Sequence, residues 1–137
     1  MAFGNLGEEI KADPDMILED SAWPSATNKD TDVFLLGGAG AGVEVVGVNT
    51  GSAATGALTV SIKTSDNATD AVYASTTGTY ATTTLVSEGT TGSWALDDEI
   101  FRYVPDSGKE AYASIRLTTL DNLSAEKIDI YQHPIDR

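Results

Sequence analysis

The sequence predicts an all-β fold of short strands, a β-sandwich or small barrel, on three observations. Short apolar runs of strand length recur along the chain, turns rich in Gly and Pro separate them, and no stretch of helical length keeps an apolar period near 3.6. The clearest run is Ala57-Leu58-Thr59-Val60-Ser61-Ile62-Lys63-Thr64. Leu58, Val60 and Ile62 fall on one side of an extended backbone, and Thr59, Ser61 and Lys63 on the other. A slip of one residue would move all three aliphatics into water, so the register is firmly set. Ser65-Asp66-Asn67 then offers side-chain oxygens to the backbone and favours a turn.

The other elements follow in order. Residues 1–20 hold six acids, one Lys and Pro14, and read as an acidic N-terminal arm ahead of a domain spanning 21–137. The apolar side chains of the arm, Phe3, Leu6, Ile10, Met16, Ile17 and Leu18, are its candidate partner-binding residues, together with Trp23 just beyond it. Trp23-Pro24 marks the passage into the domain, because a residue before Pro is pushed toward extended conformations. Asn28 to Asp32 is polar and turn-like, and Val33-Phe34-Leu35-Leu36 is a short strand stopped by Gly37-Gly38. Val43-Glu44-Val45 alternates and Val46-Gly47-Val48 alternates in the opposite phase, which predicts a bulge beside Gly47.

After the central run, Ala71 to Thr76 is expected as a weaker strand, its hairpin partner across a turn at 65–70. Residues 77–93 have little to bury except Leu85 and Val86, and are expected as one or two short edge strands with loops. Ile100-Phe101-Arg102-Tyr103-Val104 is a strand ended by the turn Pro105-Asp106-Ser107-Gly108. Ala111, Ala113, Ile115 and Leu117 line one face of the next strand. Asp121-Asn122 turns the chain into the last, Lys127 to Tyr131. The expected core is Leu58, Val60, Ile62, Ile115, Leu117, Ile128 and Ile130.

Leu, Ile, Val and Phe make up 30 of 137 residues, an adequate but lean core for one domain. Net charge is −13, and its distribution is uneven: residues 33–96 hold four acids and one Lys. Such a chain is repelled by phosphate backbones and anionic headgroups, so neither nucleic acid nor membrane is expected as a partner. There is no Cys, hence no disulfide and no thiolate chemistry. No run of 18 apolar residues is present. The first nine residues lack a basic region followed by an apolar run, so a protein made and kept in the cytoplasm, or leaving it by lysis, is expected.

Candidate chemistry is sparse. Gly37-Gly38-Ala39-Gly40-Ala41-Gly42 lacks both the spacing of a dinucleotide fingerprint and the Gly-Lys-Ser/Thr of a P-loop, and reads as a connector. His133 is the single histidine, which with no Cys leaves no zinc site, and no Gly-x-Ser-x-Gly elbow accompanies it for a triad. Asp13/Asp15, Asp66/Asp70 and Asp97-Asp98-Glu99 lack the spacing of a calcium loop and read as solvated charge. Asn67-Ala68-Thr69 and Asn122-Leu123-Ser124 match a glycosylation pattern without a secretion signal. Trp23, Trp94, Tyr73 and Tyr80 could line a sugar platform, the alternative being lids over the core. No catalytic residue, metal or cofactor is expected.

Leu58-Thr59-Val60-Ser61-Ile62-Lys63-Thr64-Ser65-Asp66 resembles the aliphatic strand and Thr-Ser-Asp turn of the capsid cement (decoration) proteins of tailed bacteriophages. Met16-Ile17-Leu18-Glu19-Asp20-Ser21 resembles the opening of those chains. Arg102-Tyr103-Val104-Pro105, Tyr112-Ala113-Ser114-Ile115-Arg116-Leu117 and Ile128-Asp129-Ile130-Tyr131 resemble their closing strands in order. The likeness covers residues 16–132; the first 15 residues and 77–93 depart from it. It implies a jelly-roll-like sandwich with no catalytic residues that clamps major capsid protein subunits on the outer face of the virion. A symmetric lattice further implies a homo-oligomer, dimer or trimer. The other expectation is a carbohydrate-binding β-sandwich module of a phage tail or fibre.

Overall fold

The computed structural model describes residues 15–22, 28–36, 43–51, 54–105, 111–119 and 127–134, with backbone alone at 15, 20, 54–57, 87–94, 119 and 134. The strands are β1 (Asp15–Ala22), β2 (Asn28–Asp30), β3 (Phe34–Leu35), β4 (Val43–Asn49), β5 (Ala54–Ser65), β6 (Ala81–Trp94), β7 (Glu99–Tyr103), β8 (Tyr112–Thr119) and β9 (Lys127–Pro134). One sheet, here sheet A, has the order β1-β9-β4-β7. The other, sheet B, has the order β2-β8-β5-β6, with β3 also beside β8. Every pairing is antiparallel, and the two sheets pack together as a β-sandwich.

The strand order follows from a single long hairpin. The chain turns back between β5 and β6, so that β5 meets β6, β4 meets β7, β2 and β3 meet β8, and β1 meets β9. Folding that hairpin across itself adds β5–β8 and β4–β9 and closes two four-stranded layers. β2 and β3 are successive pieces of one edge. Thr31 N–H donates to the Ile115 carbonyl at 2.8 Å, and Ile115 N–H donates to Thr31 Oγ1 at 2.9 Å, which carries pairing between them. Counted so, eight strands form the two interlocked Greek keys of a jelly roll.

The core is the expected one. Leu58, Val60, Ile62, Ile115, Leu117, Ile128 and Ile130 are each at most 1% exposed, and Leu36, Val45, Ile100, Phe101 and Ala113 join them. Both middle pairs of strands contribute aliphatics from their inward faces, which is how alternation in sequence becomes a shared dry layer.

Several expectations are corrected. Residues 71–76 form no strand; the segment between β5 and β6 is a folded loop, and the partner of β5 is the 14-residue β6. The stretch 77–93, expected as short strands, therefore contains most of the longest strand among the described residues. Asp15 to Asp20, assigned to the arm, lie in β1 and pair with β9, so the sandwich begins before residue 21. Asn28 to Asp30, expected as a turn, pair with β8. Of Val33 to Leu36, only Phe34 and Leu35 form strand. The bulge beside Gly47 exists, but β4 runs regularly against β9 and the extra residue, Ile100, belongs to β7. Gly37–Gly42 and residues 1–14 lie outside the described residues.

Candidate functional site

Alternation on β4 and β9 turns Glu44, Val46, Tyr131 and His133 outward from sheet A, while Val45 and Ile130 face the core. Glu44 and His133 are cross-strand partners, and Arg102 stands opposite Val46 on β7. The Glu44 carboxylate, its side chain 9% exposed, accepts from Arg102 and lies 3.0 Å from His133 Nε2. Arg102 also donates to Glu99, and Glu44 first, then Glu99, hold its guanidinium above the usual arginine range. Val46, between Arg102 and Tyr131, is buried although it points away from the core. Cation and carboxylates satisfy one another here and roof an apolar side chain.

The outer face of sheet B carries the second cluster. Lys63 belongs to the wetted face of the central run, yet the loop over residues 66–80 folds back across it. Its ammonium donates to the carbonyls of Val72, at 3.0 Å, and Ser75, and lies 3.7 Å from the centre of the Tyr80 ring. Burial pushes the Lys63 pKa down, Asp70 opposes that shift, and Arg116 adds to it. Ser114 Oγ donates to the Ala71 carbonyl at 2.6 Å, and Ser65 Oγ to that of Thr79 at 2.6 Å. Asp70 accepts the Thr79 N–H, and Gly78 adopts φ 85° against that carboxylate. Beside the loop, Arg116 makes a two-pronged pair with Asp30 and lies against the Tyr73 ring. The loop is thereby a fixed part of the domain.

Three of the acids singled out in the sequence have structural partners, while Asp66 and Asp97 are exposed. Asp98 accepts the Ala95 N–H at 2.8 Å, Glu99 holds Arg102, and Asp70 closes the 66–80 loop. Among the described residues, no three His, Cys, Asp or Glu side chains gather as a metal site. Of the four candidate platform aromatics, Tyr73 and Tyr80 each carry a cation on the ring. Trp23 and the side chain of Trp94 lie outside the described residues.

The candidate partner-binding residues separate. Phe3, Leu6, Ile10 and Trp23 lie outside the described residues. Ile17 and Leu18 pack on the core, so these two serve the sandwich itself. Met16 remains 41% exposed. Apolar exposure missed by sequence reasoning is found at Leu35, Val72, Leu96 and Val104, and the candidate platform residue Tyr80 is also 40% exposed. Register places most of these toward one end of the sandwich but on its two outer faces, Met16 and Val104 outward from sheet A and Leu35, Val72 and Tyr80 on the outer side of sheet B. Met16 pairs with Tyr131, Leu35 with Tyr112, and Tyr112 with Ser65, while Val104 follows the Tyr103–Val45 pair and Val72 and Tyr80 belong to the 66–80 loop. Leu96 lies at the opposite end, in the β6–β7 turn with Asp97 and Asp98. Neither period nor composition marks Leu35, Val72, Leu96 or Val104 as exposed, because long-range pairing decides which side chains the sandwich covers.

Comparison with protein-family models, with curated proteins and with solved structures finds no match to this chain.

Proposed function

We propose that this chain is a capsid cement protein of a tailed bacteriophage, which binds the outer surface of the assembled shell and stabilises contacts between major capsid protein subunits. The observation that carries this reading is the strand order. The jelly roll that the resemblance implies is the order of the two sheets, and jelly rolls recur in viral shell proteins. The charge supports it as well, since a protein of net charge −13 is poorly suited to the DNA-filled interior and suited to the outside. A clamp needs no chemistry: a protein that binds only the assembled lattice stabilises it by mass action.

Lectin domains share the fold, so binding has to separate the two readings. The test is co-sedimentation with purified tailed-phage capsids, with a glycan array in parallel. The expected result is saturable co-sedimentation and a higher dissociation temperature of the shells. Sugar binding that disappears in Trp94→Ala, with no shell binding, overturns the proposal in favour of a carbohydrate-binding module.

A further inference from the structure

The outer face of sheet B is ordered in cross-strand rows. Leu58, Val60, Ile115 and Leu117 enter the core, so Thr59, Ser61, Arg116 and Thr118 point outward from β5 and β8. One row runs Asn28, Thr118, Thr59, and the next runs Asp30, Arg116, Ser61, Thr84. In the third row, Ser114 and Lys63 lie under the 66–80 loop, which therefore stands as a wall beside the first two. Strands about 4.8 Å apart spread the four-strand row over about 14 Å. Arg116 and Asp30, the charged members of the two open rows, pair with each other, so this floor is neutral on a chain of net charge −13. We infer that the floor is a binding surface for an uncharged glycan. The inference goes beyond the cement reading and is independent of it.

The occupant follows from the chemistry of the floor. A sugar hydroxyl both donates and accepts, and it needs partners of both kinds. Thr59, Ser61, Thr84 and Thr118 offer hydroxyls that do both, Arg116 only donates, and Asp30 only accepts. Arg116 is positioned before any ligand arrives. Its Nε donates to Asp30 at 2.6 Å and its Nη2 at 2.8 Å, and the guanidinium carbon lies 4.4 Å from the centre of the Tyr73 ring. A planar fork held from two sides loses little freedom on binding. A protein occupant fits less well. Interface centres are rich in aromatic residues, Met and Arg and poor in Ser and Asp; of the favoured types the two rows supply Arg116 alone, already paired. Net charge opposes nucleic acid and acidic glycans, which leaves a neutral glycan.

The test starts with wild type on an array of neutral and acidic oligosaccharides, followed by calorimetric titration with the neutral oligosaccharide that binds most. Arg116→Lys keeps the charge and loses the fork, and Thr84→Arg sets a long cation on the floor. Each should weaken binding about tenfold or more. Both should melt within a few degrees of wild type, since Thr84 is exposed and the Arg116–Asp30 pair is solvent-accessible. Trp94→Ala should bind as wild type does. Methyl NMR signals of Thr59, Thr84 and Thr118 should shift as the oligosaccharide is added. Three results overturn the inference: no neutral oligosaccharide bound at millimolar concentration, binding confined to acidic ones, or binding lost in Trp94→Ala and kept in the two floor variants. Co-sedimentation with capsids should be unchanged in both floor variants; its loss assigns the floor to the capsid, overturns the inference and leaves the cement reading standing. A changed oligomeric state of either variant in sedimentation velocity assigns the floor to a second copy and overturns it too. Wild type that binds the oligosaccharide through the floor but binds no capsid overturns the cement reading alone.

Discussion

Lys63 points away from the core, yet it is 2% exposed, because the 66–80 loop uses it as a fastener. The sign of its contribution is mixed. Two hydrogen bonds from a charged donor favour the closed loop, and desolvation of the ammonium opposes it. The loop carbonyls regain water if the loop loosens, so Lys63→Met is expected to cost about 1–3 kcal/mol and to open the loop to proteolysis. Its pH dependence has a definite direction. With the folded pKa pushed down by burial, the unfolded chain binds the extra proton in the interval just below the ordinary lysine value. Wild-type stability therefore rises relative to Lys63→Met as pH climbs through that interval toward about 10.4, and the desolvation cost is fully present below it. Denaturant titrations of both proteins at several pH values check this. Gly47 presents the opposite problem, a residue defined by what it lacks. A Cβ there would meet the Phe101 ring at 2.2 Å, so Gly47→Ala should lower stability by about 1–3 kcal/mol. Phe101→Leu in the same chain should recover part of that loss, giving a favourable coupling in a double-mutant cycle.

The strands legible in the sequence are those whose two neighbours hold them in regular register. β5, β8 and β9 alternate because both sides of each are paired, and the aliphatics of the central run, of Ile115-Arg116-Leu117 and of Ile128-Asp129-Ile130 all point inward. The edge strands lose that alternation, which hides β1 and β6 from sequence reading although the apolar run at Ile100 to Val104 still marks β7. β1, β6 and β7 each carry an extra residue that sets two consecutive apolar side chains against the core: Ile17 and Leu18, Leu85 and Val86, Ile100 and Phe101. A bulge breaks the period of two on which strand reading depends, so Ile17-Leu18 is indistinguishable in sequence from an arm's anchor and 77–93 from a loop. Irregular pairing at the edges also discourages a second chain from adding to them. The consequence is measurable. Leu85→Ala and Val86→Ala should each cost about 1–3 kcal/mol although adjacent, whereas Thr84→Ala, on an exposed position, should change stability by no more than about 0.5 kcal/mol. Thermal melts of the three variants decide it.

At the scale of the whole molecule, the hairpin that folds β1 onto β9 brings the two ends of the described chain together, with Asp15 opposite Gln132. Fold class and core are legible in periodicity, but the apolar exposure of Met16, Leu35, Val72, Tyr80 and Val104 is not, because tertiary packing that no local pattern records leaves them open. The boundary of the acidic segment was misplaced for a related reason: its charge runs through Glu19 and Asp20, whereas pairing begins at Asp15. Charge and pairing give different domain limits, and deletions distinguish them. Removing residues 1–14 takes away Phe3, Leu6 and Ile10 but leaves β1 whole, so the melting temperature should hold within a few degrees. Removing residues 1–20 strips Ile17 and Leu18 from the core, leaves β9 without its outer partner and exposes Ile128 and Ile130. Two lost aliphatics at about 2–5 kcal/mol each exhaust much of the roughly 5–15 kcal/mol that stabilises an ordinary domain. The shorter chain should therefore melt far lower or fail to fold in soluble form. Equal melting temperatures for the two deletions would show that the domain ends at residue 20 and that β1 adds nothing to it.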